Sequence, residues 1–390
     1  MSRLKIALVT HAYLAEENRK KLALMAREAE VEVVSPDRAR TPLFRYRIAP
    51  PVIQQDGYTM RFFRPLPESG IPARYVLWSR DLGLRRFRPD VVHIEGEPWT
   101  LLAQQALSCA RRHVPEAAVV CTVRQNTYTG YGALTGLKDW LGRRAIARID
   151  RFLAGNTGSR RILEERFGVS PDKIASNLQL GVDTDHFRAA TPEERKERRR
   201  RWGLADEAVV VGYCGRFAEE KGLLDLLEAM RGAQARSGMR LQLALLGEGP
   251  LRARLEAANK NLVLHNVVPH AEVASFLQAL DVFVLPSAVL REHEEHDAHA
   301  LLEALACGLP CVGTTSGAIP EILSGAGLLV PPSAPEALEE AIVQLFDAAK
   351  RLHWGDAARQ RIQERYSNPR VVEKQMEAYV QAVEERRRKR

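Results

Sequence analysis

Short apolar, β-branched runs alternate along this chain with longer amphipathic segments, and the alternation runs through once and then starts again. Lys5 to Thr10, Val31 to Ser35, Val91 to Ile94 and Ala118 to Val123 read as buried strands, with Asn18 to Glu28 and Leu101 to Arg112 as helices between them. The second round places strands at Ala208 to Gly212, Leu241 to Leu246 and Val282 to Leu285. Its helices are Gly222 to Gln234, Val273 to Ala279 and Ala298 to Cys307. Helical crossovers between consecutive strands make the strands parallel and cover the sheet on both faces. The fold class is therefore α/β, with two doubly wound units in tandem. A length of 390 residues suits two domains. The join falls between Gly181 and Trp202, where Thr191-Pro192-Glu193-Glu194 starts a helix with a capping threonine, a first-turn proline and early acids.

Other classes drop out. The most apolar stretch, Ala298 to Val312, is broken by His299 and Glu303 and is shorter than the ~20 residues a membrane helix needs. The N-terminal apolar run is too short for a signal peptide and reads as a first strand. Five cysteines without a Cys-x-x-Cys pair fit a reduced, cytoplasmic protein and neither a disulfide framework nor a zinc ribbon. The net charge of +8 is unevenly spread: 30 basic against 20 acidic residues through Arg188, then 27 against 29, so +10 and then −2. That asymmetry predicts an anionic partner for the first half.

Two constellations carry chemistry. In Val209 to Gly222 a buried strand ends in a glycine-bearing loop that presents Arg216 and Lys221 just before a helix. Loop cations and a helix N-terminus at the carboxyl end of a parallel strand suit a diphosphate. The plainer reading is a solvated loop in which both cations pair with Glu219 and Glu220. The second constellation is Glu295 and Glu303, eight positions apart, with Glu303 near a helix start. There it accepts hydrogen bonds from vicinal hydroxyls or merely caps the helix.

Taken in order, these pieces resemble the retaining glycosyltransferases of family 4, which have the GT-B fold. The matching residues are Gly181-Val182-Asp183 with Phe187, Gly215-Arg216-Phe217 through Lys221-Gly222, Leu246-Gly247-Glu248-Gly249-Pro250 and Leu285-Pro286-Ser287. They continue with Glu295 and Glu303, Ala306-Cys307-Gly308-Leu309-Pro310, and Gly317 to Glu321 before Gly327-Leu328-Leu329-Val330. The resemblance implies two Rossmann-like domains facing a central cleft: residues 1–187 with a returning helix, 369–390, as the acceptor domain, and 188–368 as the donor domain. It implies Glu295, Arg216 and Lys221 as catalytic residues, and Gly215, Arg216, Lys221, Asp297, Ala298 and Glu303 as donor-binding ones. Arg216 and Lys221 then neutralise the donor diphosphate, Glu303 holds the ribose hydroxyls and Glu295 lies by the transferred sugar. No metal and no cofactor are implied beyond the nucleoside-diphosphate sugar as substrate. On the acceptor side, Asp90 to Trp99, Gln125-Asn126 and Leu153 to Asn156 match more loosely, and His11, Glu95, Glu97, Arg124 and Asn126 are the candidates at strand ends.

Three departures accompany the match. His11 to Lys20 has no glycine where many members carry a glycine-rich loop. Thr122-Val123-Arg124-Gln125-Asn126 stands where a histidine is often found, and His296-Asp297-Ala298 replaces a Gly-Phe-Gly segment. A catalytically silent nucleotide-sugar-binding or scaffold protein and a GT-B sugar-nucleotide epimerase are therefore the alternatives to transfer onto a glycan or lipid-linked acceptor. His293, His296 and His299 are spaced three apart rather than four and do not make a His-Glu-x-x-His zinc site. Arg195 to Arg201 reads as a solvated helix face. With Arg386 to Arg390 it also offers peripheral contact to an anionic inner membrane leaflet, and no nucleic-acid signature accompanies either run.

Overall fold

A computed structural model describes residues 3–40, 45–47, 52–68, 74–128, 135–176, 181–258, 262–290, 294–296 and 298–389. The chain divides into two compact units, Met1–Gly181 with Asn368–Arg390, and Val182–Ser367. By this division the first unit holds 36 basic and 22 acidic residues and the second 21 and 27, or +14 and −6. The final helix brings its basic end to the first unit, which sharpens the asymmetry.

The first unit is built on strands β1 (Leu4–Val9), β2 (Ala29–Pro36), β3 (Val52–Gln55), β4 (Tyr58–Phe63), β5 (Val91–Glu95), β6 (Ala118–Val123), β7 (Arg151–Ala154) and β8 (Ile174–Ser176). They form one sheet in the order β8-β7-β6-β5-β1-β2-β4-β3. All neighbours are parallel except β3 and β4, an antiparallel edge hairpin. Asp56-Gly57 makes its two-residue turn with φ 45° and 83°, the left-handed pair that a tight hairpin requires. Alternate side chains of β1 serve opposite faces. Ile6 and Leu8 pack with Leu22 and Met25 of α1 (Lys20–Glu28) and with Val371, Val372 and Tyr379 of the C-terminal helix, Asn368–Arg388. Ala7 and Val9 pack toward Leu102, Ala103 and Ala106 of α2 (Leu101–His113).

The second unit repeats the principle with β9 (Val209–Cys214), β10 (Leu241–Leu246), β11 (Leu262–His265), β12 (Val282–Leu285), β13 (Cys311–Thr314) and β14 (Leu328–Val330), all parallel, ordered β11-β10-β9-β12-β13-β14. Numbered within the unit this is 3-2-1-4-5-6, the doubly wound order whose ligand crevice opens at the reversal between its first and fourth strands. In the first unit the chain likewise leaves β1 toward β2 on one side and takes up β5 on the other.

The arginine-rich helix Pro192–Arg201 starts where the sequence placed it, with Thr191 and Glu194 forming a reciprocal capping box. It is not the solvated face expected. Arg199 is buried, and both it and Arg195 close ion pairs on Asp281, while Arg198 pairs with Glu194 and Arg201 with Glu272. Asp281 also accepts from the Val210 amide at 2.7 Å, so the arginines dock the helix onto the entrance of β9 and β12. Arg199→Ala leaves a buried carboxylate short of a partner and is expected to cost about 3 kcal/mol in urea unfolding. The exposed neighbour change Arg200→Ala is expected to stay within about 0.5 kcal/mol.

Candidate functional site

In the second unit the loop after β9 is shaped by glycines that no other residue replaces. Gly222 has φ 63°, and a Cβ there would lie 2.0 Å from the Pro286 carbonyl oxygen, so the start of helix Leu223–Ser237 touches the backbone that follows β12. Gly247 and Gly249 press against the carbonyls of Gly215 and Phe217 in the same way. Amide bonds from Phe217 to the Glu248 carbonyl (2.8 Å) and from Ala288 to the Glu220 carbonyl (3.0 Å) tie the loops after β9, β10 and β12 together. Tyr213, buried, donates to the Arg216 carbonyl at 3.0 Å and fixes the turn that carries Arg216.

Lys221 and Glu295 meet at the reversal point. The ammonium lies 2.6 Å from Glu295 Oε2, which also accepts from Ser287 Oγ at 2.7 Å. Behind it, Ser316 Oγ accepts from the Glu295 amide at 3.3 Å, and the Glu295 carbonyl accepts from Ala318 N at 2.9 Å. Residues from the ends of β9 and β12 thus converge on one carboxylate, and residues after β13 hold its backbone. Arg216 pairs with Glu220, as the plainer reading of the loop had it, and is 42% exposed, which leaves its guanidinium open to an incoming anion.

Glu303 neither caps a helix nor sits at its start, as the sequence reading had it. It is the fifth residue of helix His299–Ala306, is buried, and accepts from His270 Nε2 at 2.6 Å. The capping position belongs to Ala298, which makes no side-chain cap and has φ 41°. An alanine there holds the left-handed conformation that a glycine adopts without strain. Asp297 and His293 lie outside the described residues. Among those described, no group of three or more His, Cys, Asp or Glu side chains is placed to hold a metal ion.

In the first unit the acceptor-side candidates all lie at carboxyl ends of strands, and they separate into two sets. Glu95 closes β5 and is fully enclosed. Lys21 Nζ approaches its Oε1 at 3.4 Å and Tyr13 donates to the same atom at 3.0 Å. Burial works to raise the Glu95 pKa, but Lys21 and Arg124 overcome it and hold the carboxyl at about 2. His11, open to solvent on one side and walled by protein on others, has its pKa lowered to about 4 by desolvation and then by Arg124, with Glu95 opposing. His11, Glu95 and Arg124 therefore form one electrostatic cluster. Glu97 serves the backbone and Asn126 the packing instead. Glu97 Oε1 accepts from the amides of Arg124 and Gln125, both at 3.3 Å, and buried Asn126 packs where Gly158 leaves no room for a Cβ.

The glycine-free segment after β1 folds as two 3₁₀ turns, Ala12–Leu14 and Glu16–Arg19, and its Tyr13 supplies the bond to Glu95 that an open loop would not. Sequence reasoning missed Lys21, Tyr13, His93, Tyr379 and His270. His93 is buried between Thr122 Oγ1 (2.7 Å) and Tyr379 OH (2.8 Å), and burial lowers its pKa to about 4. Lys21 was findable: it stands four residues before Met25, on the buried stripe of its helix.

Family models match both units. Residues 20–177 match the model described as glycosyl transferase 4-like domain, and residues 208–348 match the one described as glycosyl transferases group 1. Among characterised relatives, a GDP-mannose-dependent alpha-mannosyltransferase of Mycobacterium tuberculosis is 32% identical over 275 residues, covering 69% of this chain and 67% of the relative. A 2-deoxystreptamine N-acetyl-D-glucosaminyltransferase of Streptomyces fradiae is 30% identical over 286 residues, covering 68% and 65%. The chain thus spans about two thirds of the length of these relatives. Among solved structures, a Rickettsia africae glycosyltransferase superposes with TM-score 0.72 at 14% identity over 98% of this chain and 99% of that one. An Anabaena protein in complex with UDP gives 0.70 at 15% identity over 97% and 100%, a likeness of fold.

The enclosed Lys21–Glu95 pair has a pH signature. A carboxyl held below its unfolded value adds stability that is complete above about pH 4.5 and disappears as pH falls through about 2. Glu95→Gln, which strands the Lys21 ammonium, is expected to cost about 3 kcal/mol at pH 7. In urea unfolding the gap between wild type and variant narrows from pH 5 toward pH 2.

Proposed function

The chain belongs to the group 1 glycosyl transferases, and on that premise we propose that it is a retaining, metal-independent hexosyltransferase. It takes a sugar from a nucleoside-diphosphate donor held by the second unit and delivers it to a glycan or lipid-linked acceptor recognised by the first. The observation that carries this reading is the Lys221–Glu295 contact at 2.6 Å, at the reversal point of a 3-2-1-4-5-6 sheet. Group 1 family matches and relatives named for nucleotide-sugar donors, such as the GDP-mannose-dependent enzyme, support the donor class.

Each residue has a physical task in the reaction. The anomeric carbon–oxygen bond breaks with its electron pair passing to the β-phosphate oxygen, so negative charge grows on the leaving diphosphate. Lys221 and Arg216 are fixed cations where that charge appears, and they stabilise the transition state more than the ground state. The acceptor hydroxyl adds on the face the diphosphate leaves, and its proton passes to the departing phosphate oxygen. When the diphosphate engages Lys221, Glu295 is freed to accept hydrogen bonds from the transferred sugar, while Ser287 keeps it in place. Glu303, oriented by His270, takes the ribose hydroxyls. On the other unit, His11, whose low pKa leaves it neutral at pH 7, and the cationic Arg124 offer a polar rim for an acceptor.

The test is turnover, or donor hydrolysis, across a panel of nucleotide sugars. Lys221→Ala and Glu295→Ala are each expected to lower kcat about 100-fold or more. Glu303→Ala is expected to act on donor KM first, and wild-type activity to persist in excess chelator. Calorimetric binding of a nucleoside diphosphate without any turnover would point to a silent sugar-nucleotide binder. Full activity in both the Lys221 and Glu295 variants would sink the assignment of the site.

A further inference from the structure

A second feature lies well away from the strand ends that carry the candidate site. Beside the amino-terminal end of β6 the first unit has a cavity of about 220 Å³. Its floor is apolar, formed by Leu107, Val114 and Val119, and its rim carries three guanidinium groups, Arg111, Arg148 and Arg386. Arg386 is anchored: it donates to the Pro115 carbonyl at 2.7 Å and faces Asp150 at 3.8 Å. Asp150 is otherwise occupied by the Val119 amide and Lys389. Arg111 and Arg148 have no hydrogen-bond or ion-pair partner among the described residues. What acts on Arg148 is burial and the like charges of Arg144 and Arg111, all of which disfavour its protonated form.

The helix that leads to this cavity, Thr135–Ile146, is amphiphilic on its outer side. Leu137 and Trp140 are 53% and 54% exposed, and Arg144 lies one turn on, its guanidinium 5.3 Å from the Trp140 ring. Steps of three, four and four from Leu137 to Trp140, Arg144 and Arg148 keep the four on one side of the helix and of the turn that continues it. The exposed apolar side chains and the cavity make a surface linked by arginines: Arg144 lies over the Trp140 ring, and its charge acts on Arg148, which lines the cavity. Its chemistry is that of the interface of an anionic bilayer: Trp and Leu seat at the headgroup level, and arginines meet the phosphates.

We propose that the first unit docks on anionic phospholipid through this surface, with Leu137 and Trp140 entering the interface and a headgroup phosphate held among Arg111, Arg148 and Arg386. The other basic run does not compete for the role, because Arg195, Arg198, Arg199 and Arg201 are engaged with Asp281, Glu194 and Glu272 inside the second unit.

The experiment is co-sedimentation of the full chain with vesicles of phosphatidylglycerol and phosphatidylcholine, against phosphatidylcholine alone, without donor or acceptor. The wild type is expected to sediment only with the anionic vesicles. At roughly fivefold per basic residue, Arg144→Ala with Arg148→Ala should weaken partitioning about 30-fold. Trp140→Ala should weaken it as well, while the exposed pair Lys196→Ala and Arg200→Ala should not. All of these positions are on the surface, and an unchanged circular-dichroism melt excludes unfolding as the cause. Equal sedimentation of the Arg144/Arg148 variant and wild type overturns the proposal. So does displacement from vesicles by millimolar inorganic phosphate at constant ionic strength, which would mark a site for free phosphate. Retention on single-stranded RNA through the same arginines, without vesicle binding, assigns the surface to nucleic acid and overturns it too. Because no transfer is measured, failure here leaves the transferase reading standing.

Discussion

The contact between Lys221 and Glu295 decides how the second unit is put together. A lysine from the turn after β9 and a carboxylate from the segment after β12 meet where the sheet reverses direction. Two charges this enclosed are costly apart and acceptable only together. Their meeting requires the loops to approach closely, which is why Gly222 lies against the Pro286 carbonyl and why the Ser287, Ser316 and Ala318 contacts all end on Glu295. In the proposed reaction, a diphosphate arriving at Lys221 would exchange one anion for another instead of filling an empty positive pocket, and selectivity would rest on whether the ligand can also satisfy the displaced carboxylate, as a sugar with several hydroxyls can.

The first unit solves the same electrostatic problem differently. At its own reversal point Glu95 and Lys21 are sealed under Tyr13, and neighbouring His93 is held between Thr122 and Tyr379. Here the pair is a foundation, and His11 and Arg124 are the groups left toward solvent. A charge pair that opens onto a crevice is suited to exchange, and one closed beneath an aromatic lid is suited to fixing geometry.

Much of this was legible in the chain. Short continuous apolar runs separated by amphipathic segments located seven of the parallel strands to within a residue or two, because a strand buried on both faces has few ways to be written. The order of glycines and charges from Gly215 to Gly222 placed Arg216 and Lys221 in the loop at the carboxyl end of β9. What escaped had specific physical reasons. His93 and Tyr379 lie 286 positions apart, and no local pattern signals that they touch. His270 begins a helix whose sequence offers no reason for a carboxylate to be near. The Asp56-Gly57 turn carries a strong hairpin signal, but it sits at the edge of a sheet whose other connections are all crossovers. The arginine run was read as solvated because runs of charge usually are. Asp281, a single acid just before a strand, gave no hint that it would receive two of those arginines.

The helix Asn368–Arg388 contributes Val371, Val372 and Tyr379 to the core around Ile6 and Leu8. On a ribosome adding ~5–20 residues per second, the first sheet is made early and this helix only after the second unit. The part of that face which α1 does not cover therefore waits, apolar, while the whole of the second unit, continuous from Val182 to Ser367, is synthesised and free to fold. The first unit cannot close its core until the second has been made. The half that begins first finishes second, and its exposed face during that interval is where a chaperone would find it.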